Sequence, residues 1–279
     1  MERKINACFK TGCAGNGKTT LLKLVEMLAR SKFTMDRTKR VDMSDVLIKW
    51  GMKQSTWFGK ALVKEKHNIA AGKYVPDRLV IPTFEAFLKQ LLDEDTTIEV
   101  LLIGGAPRTV PQLHLLELFR HTTVIETVAT RLQSDEAVLK RLKENTDEKR
   151  IDNIVGETPE ARAKLQQLLD ERWAAYKNET VPTIAACDNS LCLDRNDNLE
   201  DRIRETLLHL QSTHIFEKTF VDKMLRRLRD SAHPVRIRIA EIENSTAMAA
   251  PKSTLLKVPQ DFPHQVLPFQ GLPKQLSAV

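Results

Sequence analysis

The chain has 279 residues, 42% of them hydrophobic and 29% charged, which supports one substantial folded body with an appendage and excludes a disordered chain. Its 43 lysines and arginines stand against 37 acidic residues, and the formal charge of +6 suits polyanionic ligands such as nucleotides. No apolar run is long enough to span a bilayer, no apolar signal core opens the chain, and Cys8, Cys13, Cys187 and Cys192 have neither CxxC spacing nor a histidine cluster. The expectation is therefore a cytoplasmic protein with reduced thiols, no membrane partner and no zinc.

In chain order, residues 5–10 are a short apolar-rich run that predicts a strand, and it ends in a glycine-bearing turn at 11–19. The helix expected next carries Leu21, Leu22, Leu24, Val25 and Leu28 as an apolar stripe. A lysine-rich, helix-compatible unit begins at 41 and runs to 73, and 79–92 predicts another helix with Pro82 near its first turn. Residues 98–103 and 124–128 read as buried strands. Helices are expected at 136–143 and 157–176, joined by the charged connection 144–156. A last strand at 190–193 precedes a helix at 199–210.

Beyond residue 211 the character changes. Residues 216–229 predict a basic amphipathic helix with Phe220, Met224 and Leu228 along one side. The segment 235–242, VRIRIAEI, alternates and so predicts a strand. From 244 onward prolines and small polar residues predict an irregular tail, interrupted by Phe262 and Phe269.

The turn Gly12-Cys13-Ala14-Gly15-Asn16-Gly17-Lys18-Thr19 fits GxxxxGK[ST] without a gap. Glycines let consecutive backbone N–H groups turn inward around phosphates, Lys18 adds a cation at the β/γ oxygens, and the Thr19 hydroxyl reaches magnesium. The helix that follows adds its positive end. With a strand before and a helix after, the motif has the context it needs. Together with the strand–helix alternation it predicts an α/β, P-loop NTPase-type three-layer fold, with a central parallel sheet of about five strands flanked by helices.

Further stretches resemble adenylate kinase and its nucleoside monophosphate kinase relatives. The run Ala71-Gly72-Lys73-Tyr74-Val75-Pro76-Asp77-Arg78-Leu79-Val80-Ile81 resembles that family's monophosphate-pocket segment, and Gly59-Lys60-Ala61 the element ahead of it. Gly104-Gly105-Ala106-Pro107-Arg108-Thr109 with Gln112 is similar to the family's DGFPRTxxQ. Residues 150–165 and 179–182 match two later elements in family order.

The resemblance implies a kinase-like domain at 1–211, with a monophosphate-binding insertion at 41–75 and a short lid at 142–156. It leaves 212–279 as an extension. It implies that Gly12, Gly15, Asn16, Gly17, Lys18, Thr19 and Thr20 hold the ATP phosphates, with Mg2+ at Thr19. Lys73, Tyr74 and Val75 would line the AMP site with Asp45 and Gly105, Arg108 would bind the AMP phosphate, and Gln112 would bond the adenine edge. Arg141, Arg150 and Arg162 would close over the phosphates from the lid side, Arg141 toward ATP and the other two toward AMP. Such an arginine set suits phosphoryl transfer, which needs alignment and charge neutralisation more than covalent help.

Three positions depart from the pattern. Ile48 stands where an arginine should grip the AMP phosphate, Asn145 where a lid arginine is expected, and Gly104 where a carboxylate faces magnesium. Lys49 and Lys53 are candidate substitutes for the first loss, and Asp45 for the last. The expectation is a transferase moving the γ-phosphoryl of MgATP to AMP or a related monophosphate. The alternative, toward which Ile48 and Gly104 lean, is a regulatory module that binds nucleotide with little or no transfer. Arg226-Arg227-Leu228-Arg229 lacks an aromatic platform, so it reads as a solvated helix face and not as a nucleic-acid site. His67, His114 and His121 are isolated in the sequence and read as surface or interface residues, not ligands.

Overall fold

In the computed structural model, five parallel strands form one sheet in the order β2-β3-β1-β4-β5. The strands are β1 (Asn6–Gly12), β2 (Thr38–Asp42), β3 (Val100–Gly104), β4 (His121–Val128) and β5 (Ser190–Asp194). The structure describes residues 4–12, 16–30, 37–70, 73–128, 159–194 and 197–249. Helices cover both faces of the sheet, in the three-layer α/β arrangement that the strand–helix alternation predicts.

Because successive strand residues point to opposite faces, β1 feeds two cores at once. Ala7 and Phe9 join Leu101, Ile103 and Val124 on one face, packed against Leu79, Val80, Phe84 and Leu88 of α4 (Asp77–Glu94). Cys8 joins Val100, Leu102, Ile125 and Leu193 on the other. There α1 (Lys18–Ala29) presents Leu21, Leu22, Leu24, Val25 and Leu28, all buried as their stripe predicts. Burying one such side chain contributes about 1.5–3 kcal/mol, so the stripe alone accounts for α1's attachment.

Between β2 and β3 the chain makes helical turns over 43–53, then α2 (Trp57–Lys64), α3 (Lys66–Ala70) and α4. The strand β2 interrupts the segment expected to be helical from 41. It is short and lies at the sheet's edge, with Lys39 exposed and Arg40 half-buried, so its apolar signal is weak. Pro82 lies in the second turn of α4, not near its start, and forgoes a hydrogen bond there. Thr83, Phe84 and Leu88, buried on either side of the next turn, hold the helix in spite of that loss.

A 3-10 segment, Val110–Leu118, leads to β4. α5 (Pro159–Ala175) continues through the wider turn Tyr176–Thr180 into α6 (Val181–Ala185), and α7 (Leu199–Ser212) follows β5. The expected helix at 136–143 and the lid at 142–156 lie outside the described residues.

Two more helices pack on the α1 face, α8 (Lys218–Arg229) and α9 (Pro234–Ala249). The strand expected at 235–242 is therefore a helix, which also takes in residues 244–249, expected to be irregular. VRIRIAEI satisfies two periods, since Val235, Ile239 and Ile242 also recur at i, i+4 and i+7. The helical period prevails because Val235 and Ile239 are 0% and 1% exposed while Ile237 stays 51% exposed. Pro234, at the first helical position, lacks only an N–H that would have had no partner. Arg236 also pairs with Glu200 of α7. Residues 250–279 lie outside the described set. Among the described residues no helix is long and apolar enough to cross a membrane.

Candidate functional site

Parallel register brings the carboxyl ends of three adjacent strands to one edge. Lys10 of β1 is level with Gly104 of β3, and Gly12 is level with Thr127 of β4. Gly105 N–H donates to Lys10 O at 2.9 Å, so the two segments leaving β1 and β3 start side by side. Crevices at such edges are where α/β sheets bind ligands.

The first segment is the glycine turn. Gly12 has φ +128°, and a Cβ there would stand 2.5 Å from Thr127 O, so only glycine fits. Gly17, at φ +74°, turns the chain into α1. Asn16 is buried and its Nδ2 donates to Thr127 O at 2.7 Å, which ties the turn to β4. Lys18 Nζ donates to Gly12 O at 2.9 Å, so the side chain folds back over the turn. Among the described residues no side chain caps α1, and its first turn holds no acidic residue. With Thr19 and Thr20 half-buried at its start, that positive end suits an anion. Cys13, Ala14 and Gly15 lie outside the described residues.

The second segment follows β3 through Gly105, at φ +89°, and a cis Ala106–Pro107 peptide. Arg108 Nε donates to Gly105 O at 2.9 Å, and its guanidinium carbon lies 5.6 Å from the centre of the Tyr74 ring. Asp77, at the start of α4, accepts from Thr109 Oγ1 at 2.7 Å and from Gln112 Nε2 at 2.9 Å. Gln112 Oε1 accepts from Arg108 N–H at 2.9 Å. Gln112, expected to face an adenine, is here 4% exposed with both ends of its amide engaged, and it braces the Arg108 turn.

Tyr74 OH bonds Thr180 and donates to Ala175 O at 3.2 Å, and Lys73 pairs with Glu171 at 3.2 Å, so both residues lean on the α5–α6 region. Val75 packs on the α4-side core. Asp45 pairs with Lys49 at 2.9 Å, both well exposed. That pairing engages one of the lysines considered as a substitute for the missing arginine, and Lys53 is also exposed. Ile48 itself packs against the α4-side core. Arg141, Asn145 and Arg150 lie outside the described residues, and of Arg162, in α5, the side chain does too.

Three charged residues at this edge carry no motif signal. Asp42, at the tip of β2, is level with Gly104, and its Oδ2 lies 3.7 Å from where a Gly104 Cβ would stand. Its Oδ1 accepts from Ser44 N–H at 3.0 Å and from Ser44 Oγ at 2.7 Å, which fixes the carboxylate beside the glycine. A carboxylate therefore stands on the strand next to Gly104. Arg202 of α7 brings a guanidinium nitrogen to 3.9 Å from the point where a Gly17 Cβ would stand. Lys10, in β1, is fully buried. Lysine within the run CFKTG is the single sign the sequence offers of these three.

Burial pushes the Lys10 amine down to about 7, and repulsion by Lys18 and Arg202 acts in the same direction. Burial raises the Glu126 carboxyl of β4, against hydrogen bonds from Tyr176 and Cys192 that favour its charged form. The thiols of Cys8, Cys187 and Cys192 are free of disulfides.

No family model and no curated protein matches this chain.

Proposed function

We propose that the protein transfers the γ-phosphoryl group of MgATP to AMP or a closely related nucleoside monophosphate, forming two diphosphates. What carries the reading is the pairing of a glycine turn, whose backbone admits no side chain at Gly12, with an arginine braced on the adjacent strand's exit. The first suits a donor triphosphate and the second an acceptor phosphate. The resemblance to adenylate kinase over residues 4–210 supports the same division.

In this reading Gly12, Gly15, Asn16, Gly17, Thr19 and Thr20 seat the donor, and Lys18 exchanges its bond to Gly12 O for the transferred phosphoryl group. Arg108 holds the acceptor phosphate. Its orientation is set by Gly105, Gln112 and the Tyr74 ring, so little entropy remains to be lost when the acceptor binds. Lys73, Tyr74, Val75, Asp45 and Gly105 line the acceptor side, and Arg141, Arg150 and Arg162 are the candidate lid cations.

The oxygen donors Thr19 and Asp42 fit magnesium, a hard ion that keeps much of its water shell. Bound with ATP, the ion would neutralise phosphate charge. The role that β3 leaves open at Gly104 would fall to Asp42, ahead of the lysine-paired Asp45.

A coupled assay for ADP, run with ATP and each nucleoside monophosphate in turn, tests the reading. ADP should form with AMP or one close analogue and fall to background in Lys18→Ala. No ADP above that control with any acceptor sinks the transferase. Ile48, half-buried against the α4-side core where an arginine is expected, favours the second reading, a module that binds nucleotide with little transfer. That reading predicts ATP binding without ADP formation.

A further inference from the structure

Arg108 is held through its side chain by Gly105 O and through its N–H by Gln112 Oε1, both from its own segment. Its carbonyl is held from far along the chain. Thr180 Oγ1 donates to Arg108 O at 3.2 Å, across 72 positions. Thr180 is 2% exposed, and its hydroxyl also bonds the Tyr74 OH, whose ring lies beside the Arg108 guanidinium. Thr180 therefore meets both the backbone of Arg108 and the residue on whose ring its charge rests.

The wide turn Tyr176–Thr180 is what brings the threonine there. Val181 N–H donates to Tyr176 O, five residues back and not four. Pro182 has no N–H to give to the carbonyl of Asn178, so the regular α-helical ladder is interrupted at this point. Widened turns of this kind inside helices are frequent at functional sites. Tyr176 and Thr180 are buried at its two ends, while Lys177, Asn178 and Glu179 between them are exposed. Tyr176 OH donates to Glu126 of β4, and Thr183 Oγ1 donates to Glu179 O at 2.6 Å. One end of the turn is thus anchored on the sheet, and the other stands against the segment leaving β3.

We propose that Thr180 is a positioning residue of the acceptor seat, its hydroxyl fixing the Arg108 carbonyl and the Tyr74 hydroxyl together so that the guanidinium is aimed before a nucleoside monophosphate arrives. This deepens the reading of Arg108 as the acceptor cation and rests on it. An arginine fixed beforehand loses less freedom when the phosphate binds. Valine would fill the same volume, yet the Arg108 carbonyl and the Tyr74 hydroxyl would each lose a bond. Thr180 acts through Arg108 and has no bond to the glycine turn, so its loss should be felt by the acceptor alone.

Calorimetric titration of wild type, Thr180→Val and Thr180→Ser with AMP, and separately with MgATP, tests this. Thr180→Val should bind AMP roughly three- to tenfold more weakly, the worth of one hydrogen bond, with MgATP affinity unchanged. Thr180→Ser keeps the hydroxyl and should bind both ligands as wild type does. Beside Arg108→Ala, Thr180→Val should cost nothing further, because the hydroxyl acts through the arginine. Unchanged AMP affinity in Thr180→Val, equal weakening of both ligands, a serine variant as weak as the valine one, or a full further loss beside Arg108→Ala each overturns the proposal. Should Thr180→Val misfold, Tyr74→Phe decides, since it keeps the ring beside Arg108 and removes the hydroxyl that bonds Thr180. AMP affinity should then fall while MgATP affinity holds, and unchanged AMP affinity overturns the proposal. If wild type binds no AMP, or Arg108→Ala binds it as well as wild type does, the acceptor reading falls and this inference with it.

Discussion

In the nucleotide reading, Asp42 would supply from β2 the carboxylate that Gly104 cannot, and no motif marks it. Gly104 has no side chain, and a Cβ there would press to 3.3 Å from Leu22 of α1. A carboxylate stands beside it on β2, one strand over, pinned by the Ser44 N–H and hydroxyl. If Asp42 orients magnesium waters, Asp42→Asn should raise the Mg2+ concentration that half-saturates binding of a fluorescent ATP analogue. A bond to a charged group contributes about 1.5–3 kcal/mol, so the shift should reach roughly tenfold or more. Binding of the analogue in excess chelator should not change. Equal magnesium curves for the two proteins would show that the carboxylate is only a turn-former.

Among the elements, β1 matters most, because it serves both cores and the turn. It also carries a liability in Lys10. The unfolded chain holds that proton up to about 10.5, whereas the folded chain releases it near 7. Between those values the unfolded state binds more protons, so stability rises with pH, by at most about 1.4 kcal/mol per unit. Below pH 7 the full penalty applies. Lys10→Met should therefore be more stable than wild type at pH 7, with the difference shrinking by pH 9. Urea denaturation at both values reads this, and a gap independent of pH would mean that the amine is solvated in the folded state.

Legibility also varied by element. Helices α1, α4 and α7 were readable from their apolar period, and β1, β3, β4 and β5 as short runs rich in apolar residues between helical segments. β2 was not, since an edge strand with an exposed Lys39 carries little apolar signal. α9 was misread because branched residues at 235, 237, 239 and 242 satisfy two periods, and only burial against neighbouring helices selects one. At the site, Gly12, Gly17 and Lys18 were legible as a local motif. Asp42 and Arg202 were not, because their relevance depends on strand order and helix packing. The bond from Gln112 to Asp77, 35 positions away, was not legible in the motif either.

At the scale of the whole molecule, the helices after residue 211 belong to the face that supports the turn. Val221, Met224, Leu228, Val235 and Ile239 share one buried cluster with Leu21, Leu24 and Leu28 of α1. Arg227 donates to Leu28 O at the end of α1. Ending the chain after Ser212 should expose that cluster and lower the thermal midpoint sharply, with dye binding to the uncovered apolar face. An unchanged midpoint would show that α8 and α9 are accessory. Truncation should also weaken nucleotide binding, since α1 carries Lys18, Thr19 and Thr20 on its first turn.

The central claim is that donor and acceptor phosphates take separate seats on neighbouring strand ends. Calorimetric titration of wild type, Lys18→Ala and Arg108→Ala with MgATP, and separately with AMP, tests it most directly. Lys18→Ala should lose affinity for MgATP and keep its affinity for AMP, and Arg108→Ala should do the reverse. If both substitutions weaken the same ligand, or neither weakens either, the two-seat account is wrong.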